Sequence, residues 1–96
     1  MSPAPLDSSS RQLGCWLKLP STVTAEAASL LRFDYLCIDM QHGLVDRNDL
    51  LTLLQATHPH TQRTLVRVSA NDPSPIGWCL DAGATGVIVP LVNSAA

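Results

Sequence analysis

The sequence predicts an α/β fold built on one parallel β-sheet, and three observations support this prediction. Four short apolar runs alternate with three stretches of helical character along the chain. The runs follow one another at intervals of roughly 25 residues and are joined by short connections, as in repeated βαβ units. Most of each run is apolar, which is typical of parallel strands covered on both faces.

The predicted strands are the apolar runs at residues 13–17, 35–38, 65–68 and 86–89. The first helix follows a cap at Ser21 or Thr22. Its apolar residues recur at helical spacing and are Val23, Ala27, Leu30 and Leu31.

Asp46 is the predicted N-cap of the second helix. One face of that helix is made of leucines, namely Leu50, Leu51, Leu53 and Leu54. A loop is predicted at residues 58–62, and turn residues at 71–75 lead into a short third helix that Gly83 ends.

Two architectures fit this order of elements. A doubly wound sheet normally has a glycine-rich phosphate loop after its first strand, yet residues 17–21 contain no glycine. A (β/α)8 barrel fits better, and because such a barrel takes about 250 residues, four strands make up about its N-terminal half. We therefore predict a partial TIM-barrel domain at residues 12–96, preceded by a flexible tail at residues 1–11.

Composition excludes several classes of function. The 96 residues are 46% hydrophobic and 15% charged, which is typical of one globular domain, and the net charge of −2 comes without a basic cluster for nucleic acid. The longest apolar run, at residues 86–92, is far shorter than the roughly 20 residues of a membrane-spanning helix. Cys15, Cys37 and Cys79 lie too far apart to suggest a disulfide framework or a zinc site, which favours a cytoplasmic location.

Polar and aromatic residues lie in or just after three of the four predicted strands. Trp16 is in the first strand, Asp39, Gln41 and His42 follow the second, and Arg67 interrupts the third. In a barrel, the catalytic residues lie at the C-terminal ends of the strands, so these side chains should converge. Each also has a structural interpretation: His42 as a solvated loop residue, Trp16 as core. A cation such as Arg67 is costly to bury without an anion, which can be a ligand or a carboxylate.

The sequence resembles the HpcH/HpaI aldolase family from about Gln12 to its end. The segments that carry the resemblance lie in a matching order and spacing, and they are residues 14–17, 39–43, 66–68 with 71–72, and 80–84 with 89–90. Members of this family are class II pyruvate aldolases, such as 4-hydroxy-2-oxoheptanedioate aldolase and 2-dehydro-3-deoxyglucarate aldolase. The resemblance therefore implies an enzyme that cleaves 4-hydroxy-2-oxo acids to pyruvate and an aldehyde.

The resemblance also implies catalytic roles for three residues. His42 would be the general base, Arg67 would stabilise charge on the oxo or enolate oxygen, and Asp81 would raise the basicity of the histidine. Asp81, however, falls at the end of the predicted third helix, on the face of a barrel opposite its active site. Either that helix boundary is misplaced or the carboxylate serves a neighbouring subunit.

Three further positions match residues that line the substrate pocket of the family. They are Trp16, Asp39 and Gln41. Many members carry glutamate where Gln41 stands, so one negative charge near the histidine is absent. This departure leaves the substrate and the pH optimum open.

A divalent cation, Mg²⁺, Mn²⁺ or Co²⁺, is implied for the complete enzyme, with family ligands that lie beyond Ala96. We therefore expect the 96 residues alone to bind no catalytic metal tightly and to be inactive. Family members are usually homo-oligomers, which is the expectation here too. Two alternatives remain: a citrate-lyase-like enzyme of the same superfamily acting on acyl-coenzyme A, and a non-catalytic half barrel that binds a full-length paralogue.

Overall fold

The computed structural model describes residues 11–60 and 63–90. The predicted strands and helices are all present, and every strand begins and ends within one residue of its predicted bounds. In chain order the elements are β1 (Gly14–Leu17), α1 (Thr22–Leu30), β2 (Tyr35–Asp39), α2 (Arg47–Thr57), β3 (Thr64–Arg67), α3 (Pro73–Asp81) and β4 (Gly86–Ile88). The predicted tail lies outside the described residues except for Arg11.

Local hydrogen bonds explain where the first two helices begin. The side chain of Ser21 accepts a hydrogen bond from the backbone N–H of Thr24 at 3.1 Å. Asp46 accepts from the N–H of Asp49 at 2.8 Å, and the Asp49 carboxylate accepts from the N–H of Asp46 at 3.2 Å. This reciprocal capping box satisfies two backbone donors that the helix itself cannot use. The predicted caps are confirmed.

The sheet is parallel throughout, and its strands lie in the order β1-β2-β3-β4. A doubly wound sheet reverses its strand order at one point, whereas this sheet follows the chain without reversal. The predicted fold class is therefore confirmed as α/β with the winding of a (β/α)8 barrel.

The helices and one face of the sheet enclose the hydrophobic core. Side chains of all three helices take part, with the strand residues that point toward them. The core residues are Leu17, Ala25, Ala28, Leu36, Ile38, Val45, Leu50, Leu53, Leu54, Val66, Val68 and Cys79. Strand side chains alternate between faces, so Trp16 and its register partner Cys37 lie on the other face, which in a barrel is the inner one.

The helix α1 packs through a different face from the one that its largest apolar residues mark. Val23 is 79% exposed, Leu30 58% and Leu31 70%, whereas Ala25 and Ala28 are buried. Small side chains let α1 approach its neighbours closely, and this closeness leaves no room for larger ones. The apolar spacing correctly predicted a helix, but this helix has two adjacent apolar stripes, and the bulkier one faces outward.

The described helices are short. The longest is α2, with 11 residues. Among residues 11–60 and 63–90, no helix has both the length and the apolar character needed to cross a bilayer.

Two adjacent leucines of α2 provide a test of this packing. Leu50 is fully buried and Leu51 is 49% exposed. We expect Leu50→Ala to lower the free energy of unfolding by about 2–5 kcal/mol, because it leaves a cavity in the core, and Leu51→Ala to lower it by less than about 1 kcal/mol. Urea unfolding followed by circular dichroism measures both. Equal losses would contradict the orientation of α2.

Candidate active site

An ion pair joins the last residues of two neighbouring strands. Asp39 ends β2, Arg67 ends β3, and the two are register partners in the ladder, so both side chains leave the sheet on the same face. The Arg67 Nε donates to Asp39 Oδ1 at 3.1 Å, and Nη2 donates to Oδ2 at 2.5 Å. The pair is therefore bidentate, which fixes the plane of the guanidinium as well as its distance.

Trp16 of β1 completes this group of side chains. The Arg67 Cζ lies 4.7 Å from the centroid of the Trp16 ring, within the range of a cation–π contact. Trp16 is 41% exposed, so it forms an open wall beside the cation and is not a core residue. Below, Trp16, Asp39 and Arg67 are called the rim residues.

The loop that follows β2 is anchored to the same carboxylate. Asp39 Oδ1 accepts hydrogen bonds from the backbone N–H groups of Gln41 at 3.0 Å and His42 at 2.9 Å. This function of Asp39 was not among those predicted from the sequence. An aspartate that directly precedes a glycine-containing loop is a signal for such side-chain-to-backbone bonding. One carboxylate therefore fixes both the loop that carries His42 and the guanidinium of Arg67.

These contacts keep Asp39 ionised. Its complete burial raises its pKa, but the hydrogen bond from Arg67 and the backbone N–H groups of His42 and Gln41 outweigh burial and lower the pKa to about 2. The hydrogen bond to Asp39 in turn raises the pKa of Arg67 above its ordinary value, against a smaller opposing effect of burial. At neutral pH the pair is a carboxylate and a guanidinium, so Asp39 cannot serve there as a proton donor.

The structure does not bring every predicted site residue to the rim. The backbone of His42 lies beside Asp39 and its side chain is exposed. Asp81 ends α3, is exposed, and lines a groove between α2 and α3 together with Arg47 and Trp78. The predicted helix boundary is thus correct and does not account for the position of Asp81. Asp81 could lie beside His42 only if it came from a neighbouring subunit. Its role in raising the basicity of His42 therefore stays a prediction.

His58 and His60 lie at the other end of the sheet. They line a groove with Thr64 and Thr85, which stand at the beginnings of β3 and β4, and His60 Nε2 is 3.7 Å from a Glu26 carboxylate oxygen. Both histidines lie at the surface and are exposed. They have no connection with the rim residues.

The described residues do not fit a metal site. Within 11–60 and 63–90, no three side chains of His, Cys, Asp or Glu are grouped so that they could hold a metal ion. Both oxygens of Asp39 are already hydrogen-bonded. Burial raises the pKa of Cys37 and of Cys79 to about 11, so neither thiol is a thiolate at neutral pH.

A parallel sheet wound in one direction, with charged and aromatic side chains at the C-terminal ends of its strands, is the arrangement of barrel enzymes. A family model described as HpcH/HpaI aldolase/citrate lyase matches residues 12–96. The chain belongs to this family, as its resemblance in sequence had predicted.

Individual relatives agree with this assignment. The chain is 44% identical over 84 residues to a hydroxypyruvate/pyruvate aldolase of Rhizorhabdus wittichii, covering 88% of this chain and 34% of the relative. It is 40% identical to a 4-hydroxy-2-oxo-heptane-1,7-dioate aldolase of Salmonella arizonae, and the match covers 88% of this chain and 32% of that relative. A crystal structure of an HpcH/HpaI aldolase/citrate lyase family protein from Burkholderia cenocepacia superposes with a TM-score of 0.77 at 37% identity, covering 84% of this chain and 33% of that one. The chain thus spans about a third of the length of its relatives.

The ionised state of Asp39 predicts a specific acid sensitivity. Its pKa falls from 3.8 to about 2 on folding, so the group stabilises the fold above pH 3.8 and this contribution is lost as the pH falls through 2, a loss of about 2 kcal/mol. Urea unfolding at intervals between pH 6 and pH 2 measures it. Asp39→Asn should be less stable at neutral pH but should lose less of its remaining stability over that interval. Equal losses in both proteins would contradict the assignment.

Proposed function

We propose that the protein acts as an aldolase that cleaves 4-hydroxy-2-oxo acids to pyruvate and an aldehyde. The observation that carries this proposal is the guanidinium of Arg67, held in a fixed plane at the C-terminal ends of the strands. The names of the two curated relatives support an aldolase over the citrate lyases that the family description also covers. The chain spans about a third of those relatives, so the activity is proposed for the whole protein.

Arg67 is suited to bind the 2-oxo acid. Its Nε and Nη2 are used by Asp39, while Nη1 makes no hydrogen bond within the described parts of the chain. Its remaining donors can bind a carboxylate or oxo oxygen and stabilise the negative charge that develops as the enolate of pyruvate forms. Because Asp39 and Trp16 already fix the guanidinium, no reorganisation is needed when that charge appears.

His42 is the proposed base. In cleavage it removes the proton of the 4-hydroxyl group, the C3–C4 bond breaks, the aldehyde leaves, and the remaining enolate takes up a proton at C3 to give pyruvate. Asp39 is not a candidate for this role because its pKa is about 2 and its oxygens are occupied. The role of Asp81 in raising the basicity of His42 requires a second copy of the chain, in keeping with the predicted homo-oligomer.

The divalent cation implied by the resemblance would act as a Lewis acid on the 2-oxo acid. Since the described residues offer no ligand set for it, the roles above are derived from Arg67, His42 and Asp39 alone. We expect the purified 96-residue chain to bind Mg²⁺, Mn²⁺ or Co²⁺ only weakly and to release no pyruvate from 4-hydroxy-2-oxo acids. Metal-dependent release of pyruvate by this chain would refute that expectation.

Binding of pyruvate tests the role of Arg67 without requiring cleavage. Arg67→Lys keeps the charge but loses the planar fork, and we expect it to weaken pyruvate binding about tenfold, which is about 1.4 kcal/mol. Arg47→Lys is the matched control, because Arg47 also lies over a tryptophan, 4.9 Å from the Trp78 centroid, but on the helical side. NMR titration of the chain measures both affinities. Equal weakening by the two substitutions would contradict the proposed site.

The same titration tests the place of His42. Pyruvate bound at Arg67 should shift the imidazole signals of His42 and leave those of His58 and His60 unchanged, because the latter two lie at the opposite end of the sheet. Shifts confined to His58 and His60 would place the ligand at the wrong end of the sheet. If the shifts at His42 persisted unchanged in Arg67→Lys, the pyruvate near His42 would not be bound by Arg67, and the two residues would not belong to one site.

A further inference from the structure

The loop at residues 40–44, here called the rim loop, approaches the sheet more closely than any side chain would allow. A Cβ atom on Gly43 would lie 2.2 Å from the backbone oxygen of Asp39 and 3.1 Å from the Cα and the oxygen of Lys18. All three neighbours are backbone atoms, which cannot rotate out of the way. Among the glycines of the described residues, Gly83 has a positive φ and Gly43 does not. The constraint at Gly43 is therefore one of space and not of backbone conformation.

Hydrogen bonds tie the rim loop down on both sides of this glycine. Before it, the N–H of His42 donates to Asp39 Oδ1 at 2.9 Å. After it, the N–H of Leu44 donates to the carbonyl oxygen of Lys18 at 2.7 Å. These bonds join the loop to the ends of both β1 and β2. Gly43 is the residue of the loop that touches the backbone at both ends.

We propose that Gly43 is a positioning residue for the site. Its missing side chain lets the rim loop lie against the backbone of Lys18 and Asp39, which keeps the N–H groups of Gln41 and His42 on the carboxylate that orients Arg67. The proposal rests on the proposed function insofar as His42 and Arg67 are the groups that act on substrate.

A methyl group at this position would separate these contacts. The Cβ atom must move from 2.2 Å to beyond 3.0 Å from the Asp39 oxygen. A shift of that size stretches the hydrogen bonds of 3.0 Å and 2.9 Å from Gln41 and His42 past the distance at which such bonds are effective. Asp39 would keep Arg67 but lose two donors, so its carboxylate and the guanidinium would no longer be fixed relative to the loop.

The experiment compares Gly43→Ala with Gly77→Ala in the 96-residue chain. Gly77 lies within α3, and a Cβ atom there would meet nothing within 4 Å, so it controls for a glycine-to-alanine change as such. NMR follows the carboxyl carbon of Asp39 as the pH is lowered. We expect its titration midpoint to rise by about one pH unit in Gly43→Ala, because two donors to the carboxylate are lost, and to stay unchanged in Gly77→Ala.

His42→Ala separates the positioning role of the loop backbone from the proposed role of the imidazole as a base. It removes the imidazole but keeps the backbone N–H, so the titration of Asp39 should stay as in the unsubstituted chain.

Binding of pyruvate is the second measurement on these variants. Pyruvate affinity, measured in the same samples, should fall about tenfold in Gly43→Ala. If the unsubstituted chain bound no pyruvate, the role proposed for Arg67 in binding the 2-oxo acid would fail, while the Asp39 titration would still test Gly43.

An unchanged titration of Asp39 in Gly43→Ala, with unchanged amide signals of Gln41 and His42, would overturn the proposal. If Gly43→Ala does not fold, amide hydrogen exchange of the unsubstituted chain decides. Protection of the Leu44 and His42 amides comparable with that of the β2 amides supports a loop seated on the sheet through Gly43. Rapid exchange at Leu44 would show that the loop is not seated there and would overturn the proposal equally.

Discussion

The geometry of the rim depends on one buried carboxylate. Asp39 has no solvent-exposed surface, and burial alone would favour its neutral form. It stays ionised because Arg67 and two backbone N–H groups supply hydrogen bonds to it. A buried ion pair adds little to net stability, since desolvation of the charges offsets most of their attraction, but leaving one partner without the other is costly. The pair is best understood as a constraint on where the rim side chains lie.

The winding of the sheet makes this constraint possible. Asp39 and Arg67 are 28 residues apart in sequence but are neighbours at the C-terminal ends of adjacent strands. Parallel strands in sequential order place all their C-terminal ends at one edge, so each βα unit contributes side chains to the same place. Trp16, from a third unit, packs against the same guanidinium. The rim is therefore assembled from short local segments, each of which needs only to end at the correct residue.

The sequence predicted the elements and the rim more fully than the packing between helices. Strand ends and caps were predictable because apolar runs, Ser21, Asp46 and Gly83 act locally. The orientation of α1 was not predictable in this way. Its two apolar stripes are adjacent, and which of them is buried depends on how closely the neighbouring elements approach. The position of Asp39 was predicted, but its bonds to the rim loop were not, because a carboxylate at a strand end can serve as ligand, turn residue or ion-pair partner with equal ease.

The two arginine–tryptophan pairs make the same contact but differ in their position in the fold, and this difference makes Arg67 the candidate for a functional role. Arg47 lies over Trp78 at nearly the same distance as Arg67 lies over Trp16. Arg47 is an exposed residue at the start of α2, where solvent screens its charge. Arg67 ends a strand, is only 23% exposed, and is held in plane by a carboxylate that stays ionised. A cation that is partly desolvated and fixed stabilises developing negative charge far more than a mobile one in water. The same side chains thus form a surface contact in one place and a candidate catalytic group in the other.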